Sequence, residues 1–320
     1  MALPAALIVI FLHAAGAAAA TFAFYAPWDA RSAPSLAAHA AAIDWFAPAW
    51  ISVTGPADTL RVNIDPPARA ALAGLGHAPA VMPVVQNAAL GAWDGTNAAA
   101  LLASPSRRTA LLDQLEPILA SAGASGVMFD FEDLPASAQP DYLAFLGEAR
   151  RRYAARRWPV AAAVPADDAD WNLAAYGRTA DYVVLMAYDE HWTSSPPGPI
   201  ASRRWFSSGV HEAVAAVPPD KLVIGLASYA YDWPAGASAR PISAPDAKAR
   251  AGQAGASARR DAASGEMTIA YADGGKVHTV WISDAAASRG EIAASRRLGV
   301  RNFALWRLGS EDPAIWAALR

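Results

Sequence analysis

The chain has 320 residues, 54% of them apolar, enough for one large α/β barrel or two small domains and too many for a disordered or collagen-like polymer. Twenty-six basic against 29 acidic residues give a formal charge of -3 with no basic run interleaved with aromatics, so no nucleic acid partner is expected. The absence of cysteine removes disulfides, thiolate metal sites and a cysteine nucleophile, leaving carboxylates, hydroxyls, His and Arg for any chemistry.

Residues 1–20 (MALPAALIVIFLHAAGAAAA) hold an apolar run from Leu7 to Leu12 followed by small residues, the pattern of an export signal. The same stretch is about long enough to span a bilayer, so a membrane tether through residues 1–20 is the other reading. Either one implies an exported protein, periplasmic, in the cell envelope or extracellular.

From residue 22 onward short β-rich runs alternate with Ala/Leu/Arg-rich stretches of helical period. The predicted strands are Phe22 to Ala26, Trp50 to Thr54, Val81 to Val85, Gly126 to Phe131, Val160 to Val164, Tyr182 to Met186, Leu222 to Leu226 and Asn302 to Leu305. Eight strands alternating with helices predict an α/β fold of the (β/α)8 TIM-barrel type over residues 21–320. A doubly wound sheet is the alternative, but no G-x-G-x-x-G turn follows the first strand. The seventh and eighth strands lie too far apart for one helix. Within that gap Met267 to Tyr271 and Lys276 to Ile282 flank Asp273-Gly274-Gly275, a hairpin signal, which predicts a small α+β lobe at residues 235–285 with a helix from Pro245.

The segment Ser125-Gly126-Val127-Met128-Phe129-Asp130-Phe131-Glu132-Asp133 carries the most chemistry. Strand alternation sends Val127, Phe129 and Phe131 one way, and Gly126, Met128, Asp130 and Glu132 the other. The first face suits packing under the helices, so the two carboxylates belong inside the barrel mouth. Like charges buried side by side raise at least one pKa, and a carboxylic acid protonated near neutral pH is a general acid. Twelve Trp add flat platforms of the kind a sugar ring stacks on.

These residues resemble the D-G-x-D-x-D-x-E signature of family 18 glycoside hydrolases, the chitinase-type barrels. Gly126, Asp130 and Glu132 match, whereas Ser125 and Met128 stand where the first two aspartates usually do. Met186-Ala187-Tyr188-Asp189 is similar to the family's sixth-strand motif, and Trp306 falls at its eighth-strand tryptophan. Tyr188 to Trp192, Gly198 to Ser202, Tyr229 to Trp233 and Trp306 to Asp312 look like the spore-cortex and cell-wall hydrolase branch, and like domains fused to polysaccharide deacetylase and glycosyltransferase modules.

The resemblance implies a glycosidase acting on β-linked N-acetylglucosamine polymers: peptidoglycan, chitin or poly-N-acetylglucosamine. By that resemblance Glu132 is the acid/base, Asp130 orients the substrate's acetamido group, Tyr188 donates a hydrogen bond to it, and Trp306 lies under the ring. The acidic site further implies an acidic pH optimum. On the predicted active rim, Trp28, Asn87, Asp189, Trp192, Tyr229 and Tyr231 are candidate substrate contacts, with Tyr25, still inside its strand, as a supporting one. His191 is read as structuring its loop. No H-E-x-x-H or helical His pair supports a metal, no cofactor is called for, and a monomer is expected. The rival reading is a catalytically weak glycan-binding module of the same fold in a polysaccharide synthesis or export system, since two signature aspartates are replaced.

Overall fold

The computed structural model describes residues 19–89 and 91–319, so the export or anchor reading of residues 1–20 falls almost wholly outside the described residues. Among these, no helix is long and apolar enough to cross a membrane.

Barrel strand one is Thr21–Tyr25, and strand two is Trp45–Pro48 continued by Ile51–Thr54. Strand three is Ala80–Val81 with Val84–Gln86, and strands four and five are Val127–Asp130 and Val160–Pro165. Tyr182–Met186, Leu222–Ala227 and Asn302–Trp306 are strands six, seven and eight. Each pairs in parallel with its neighbours, and strand eight returns to strand one with Thr21 beside Phe303, closing a (β/α)8 barrel.

Strands two and three are each broken at a proline. Pro48 and Pro83 have no N–H to donate, so neither can continue a two-sided ladder. The lower half of strand two pairs with strand one and with Ala80–Val81, and the upper half with Val84–Gln86. Met82 N–H to Phe46 O (2.8 Å) and Met128 N–H to Pro83 O (3.1 Å) carry the bonding across the break. Strand two thus begins at Trp45 rather than Trp50, because Ala47-Pro48 masks a run that is buried on the barrel side.

On strand four the alternation sorts the side chains. Phe129 and Phe131 lie under helix Gln139–Tyr153, Phe129 edge-on to Phe145 (4.8 Å) and Phe131 stacked on Tyr142 (5.4 Å). Met128 instead joins Phe22, Phe24, Met82, Val84, Val184 and Ala304 in the barrel interior. Gly126 is required for space, because a Cβ there would meet Met82 Cε at 2.8 Å and Pro159 O at 3.0 Å. The charged far end of helix Gln139–Tyr153 and its continuation face helix Pro105–Ser121, with Arg152 and Arg156 on Glu116 at 3.1 and 2.7 Å.

Between strands seven and eight stands a five-stranded antiparallel sheet. Its centre is Ala230–Pro234 against Lys276–Ile282, continued by Met267–Asp273, with Arg240–Ile242 and Arg259–Arg260 at the edges and helix Ala244–Gln253 packed on it. Gly274 and Gly275, at φ 55° and 74°, make the left-handed two-residue turn that Asp-Gly-Gly suggests. Because Ala230 pairs with Ile282, the lobe starts immediately after strand seven and takes in Tyr231, earlier than residue 235.

Candidate active site

The carboxyl ends of the strands open into a cavity of about 550 Å³ whose lining includes Asp130, Glu132, Tyr188, Asp189, Tyr231 and Trp306. Phe24 and Met186 line it too, with Trp28, Trp93, Trp192 and Trp205 around them. A second cavity of about 550 Å³ shares Trp28, Trp93 and Trp306 with the first, so the two form one continuous groove walled by tryptophan.

Asp130 is 4% exposed, and its Oδ1 has no hydrogen-bond partner. Met128, the next inward side chain below it, is a fully buried thioether with no proton to offer. Burial raises the Asp130 pKa. Burial raises the Glu132 pKa as well, and Asp130, Asp189 and Asp133 push it further by charge repulsion. A carboxyl that holds its proton this firmly can donate it near neutral pH.

Asn87 does not line either cavity. It is fully buried and forms a two-point clamp on the Glu132 backbone: Nδ2 donates to Glu132 O at 2.8 Å and Oδ1 accepts from Glu132 N at 2.9 Å. The expected subsite contact is therefore a positioning residue, tying strand three to strand four where the latter's ladder has ended.

Asp189 has φ 65°, a left-handed conformation rare outside glycine. Its Oδ1 accepts from the Tyr229 hydroxyl and from the Tyr231 hydroxyl (3.2 Å). These bonds favour the carboxylate, but burial outweighs them and leaves its pKa raised. Both tyrosines are almost wholly buried, and of the two only Tyr231 belongs to the cavity lining. Burial and the surrounding carboxylates hold the Tyr188 phenol well above its usual pKa, which keeps it a hydrogen-bond donor.

Trp306 packs edge-on to Phe24 at 5.2 Å, with the neighbouring Arg307 held by Asp29 at 2.8 Å. Trp28 and Trp192 are 60% and 49% exposed, free to meet a ligand. Tyr25 is elsewhere: strand one turns Phe24 inward and Tyr25 outward, where its hydroxyl donates to Asp65 at 2.5 Å beneath Phe46. It is a core residue and makes no cleft surface. Motif reading missed Trp93, Trp205 and Asp167, and it quoted Glu190 and Arg307 within motifs without giving them a place in the site; only the high tryptophan count hinted at the first two.

The loop from strand six is held from both sides. Glu190 accepts from Ser202 N (2.7 Å) and Ser202 Oγ (3.0 Å), and its own N–H donates to Ile200 O (2.9 Å). Glu266, fully buried in the lobe, accepts the N–H groups of Ile200 (2.8 Å) and Ala201 (3.0 Å). His191 donates from Nδ1 to Pro199 O at 2.9 Å, a loop-structuring contact. A Cβ on Gly198 would lie 2.4 Å from this imidazole. Gly198→Ala is accordingly expected to destabilise the protein by about 1–3 kcal/mol. The His191→Ala, Gly198→Ala double variant should recover part of that loss in thermal unfolding, because the clash partner is gone.

Among the described residues no group of three or more His, Asp or Glu is placed to hold a metal ion. The barrel and the carboxylate-lined groove at its mouth define a glycosidase architecture. Residues 87–309 match Glycosyl hydrolases family 18, and the chain belongs to that family as one of its glycosidase domains.

Among similar proteins is the cortical fragment-lytic enzyme of Bacillus subtilis, 28% identical over 224 residues that make up 65% of this chain and 52% of the relative. The chain thus spans about half the length of that relative. The B. subtilis glycosylase YvbX is 25% identical over 246 residues, 73% of this chain and 72% of YvbX. A solved chitinase from Chromobacterium violaceum superposes with a TM-score of 0.85 at 28% identity, covering 94% of this chain and 98% of the chitinase. The spore cortex-lytic enzyme SleL of Bacillus cereus shares the fold, with a TM-score of 0.83 at 19% identity over 94% of this chain and 73% of SleL.

Proposed function

We propose that the protein hydrolyses a β-linked polysaccharide containing N-acetylglucosamine, namely peptidoglycan, chitin or poly-N-acetylglucosamine, by a substrate-assisted retaining mechanism. The observation that carries this reading is the Glu132 carboxyl, half-buried beside Asp130 with its proton affinity raised, in a groove walled by tryptophans. Glu132 gives its proton to the glycosidic oxygen as the bond from that oxygen to the anomeric carbon breaks. The substrate's own acetamido oxygen forms the new bond to that carbon, so no second protein nucleophile is needed.

Asp130 orients the acetamido N–H and steadies the positive charge that develops on the closing ring. Tyr188 donates a hydrogen bond to the acetamido oxygen, and Trp306 supports the sugar from below. The Glu132 carboxylate then takes a proton from water as the water attacks the anomeric carbon, which opens the cyclic intermediate with net retention. The protein works as an exported enzyme or one tethered by residues 1–20, acting as a monomer on its polymer.

The test is a reducing-end assay on the three polymers, with mass spectrometry of the products. New reducing ends that keep the β configuration at early times support the assignment, and inverted products overturn it. One observation favours a glycan-binding module instead: Met128 leaves Asp130 Oδ1 without a partner. Tight binding with no new reducing ends on any of the polymers would establish that second reading.

A further inference from the structure

The second half of the groove has an electrostatic character of its own. Its lining comprises Trp28, Trp50, Trp93 and Trp306 with uncharged polar groups such as Ser52 and Gln86, and Arg61 is its sole charged residue among those described. The first half is lined by five carboxyl groups, Asp130, Glu132, Asp167, Asp189 and Glu190, against one cation, Arg307, which is already paired with Asp29 at 2.8 Å. Arg61 lies on Thr59–Val62, which pairs antiparallel with the upper half of strand two, directly opposite Ser52. Residues opposite one another on paired strands share a face, so the guanidinium stands on the groove side with Ser52.

No hydrogen bond or ion pair to Arg61 is formed among the described residues, and nearby carboxylates are committed elsewhere. Asp65 is 6% exposed and accepts from Tyr25 Oη, Trp50 Nε1 (2.7 Å) and Ala68 N (3.2 Å). Asp94 accepts from Gly55 N and Asn97. Asp58 is held by Arg107. An uncompensated guanidinium over aromatic walls is a fork for a planar carboxylate on a sugar that stacks there.

We infer that Arg61 is a specificity-determining residue: it selects a polymer in which a sugar bound in the tryptophan half of the groove, away from Glu132, carries a carboxylate. Within the hydrolytic reading, on which this inference rests, the fitting substrate class is an N-acetylated amino-sugar polymer with a lactyl carboxylate, as in the muramic acid units of peptidoglycan, over uncharged chitin. In the first half the one cation, Arg307, is taken by Asp29 and acidic groups outnumber it, so such a group is disfavoured there, which fixes which sugar of an alternating polymer sits at the cleaved bond.

The experiment compares wild type, Arg61→Gln and Arg61→Glu on peptide-free peptidoglycan strands, on the same strands with methyl-esterified carboxylates, and on chitin oligomers. Turnover and, separately, binding by calorimetry are measured for each. Arg61→Gln should raise KM and Kd about fivefold on the acidic strands. Arg61→Glu should raise them further, with kcat held and both uncharged ligands affected less than twofold. An equal loss on charged and uncharged ligands, or no loss on the acidic strands, overturns the inference. Wild type that releases no reducing ends from any substrate overturns the hydrolytic reading instead, and the calorimetric preference for free over esterified strands then still decides the role of Arg61.

Discussion

Glu132→Gln is expected to release reducing ends at no more than about one hundredth of the wild-type rate while binding oligosaccharide with unchanged affinity, since a general acid contributes about 10²–10⁴-fold. The same substitution should stabilise the fold. A carboxyl whose pKa is raised on folding binds more protons folded than unfolded, so its cost is absent below the unfolded value of about 4.5 and grows as pH rises toward the folded pKa. Glutamine carries no such cost. The variant should therefore melt with wild type near pH 4 and above it at pH 7 to 8.

The activity profile follows from the same group: kcat/KM falls on the alkaline side as Glu132 loses its proton, at a pH above the ordinary carboxylate range. An acidic optimum thus gains a shoulder toward neutrality. Melting curves that coincide at every pH, or a variant that keeps wild-type turnover, would rule out a proton donor of raised pKa at this position.

Asn87→Ala should be the next most damaging change although Asn87 never meets a ligand. It removes both bonds to the Glu132 backbone and leaves a part-buried N–H and C=O unpaired, a loss of about 1–3 kcal/mol. Displacing a reacting group by even 1 Å can cost about a hundredfold, so kcat is expected to fall by about that factor with KM little changed. A kcat within threefold of wild type, measured on folded variant below its melting temperature, would refute the clamp.

What could be read from the sequence follows the strength of local pattern. Strand four was legible because polar and apolar residues alternate toward its end, and only one arrangement keeps Phe129 and Phe131 under the helices. The hairpin at Gly274-Gly275 was legible because the turn's chemistry is local. Strand one was legible as a strand but its facing was not, since Phe22-Ala23-Phe24-Tyr25 is buried on both faces and no polar marker separates inward Phe24 from outward Tyr25. Asn87 was singled out for its place on the rim, but its clamp on Glu132 was not foreseen, because its partner is main chain just past another strand, and a side chain that bonds to backbone leaves no complementary residue to recognise. Tyr229 falls between these cases, being near the site yet one layer behind it, with its hydroxyl spent on Asp189.

The inserted lobe is more than a wall of the groove. It supplies Tyr231 to Asp189, Trp233 Nε1 to Ser195 O, Ala239 N to Thr193 O and Glu266 to the peptides of Ile200 and Ala201, so the segment bearing Tyr188 is moored to it along its length. Trimming the lobe to admit a bulkier or branched glycan would slacken that mooring and blunt the reaction, whereas widening on the Trp28 side touches none of these attachments. Engineering of substrate breadth should begin there.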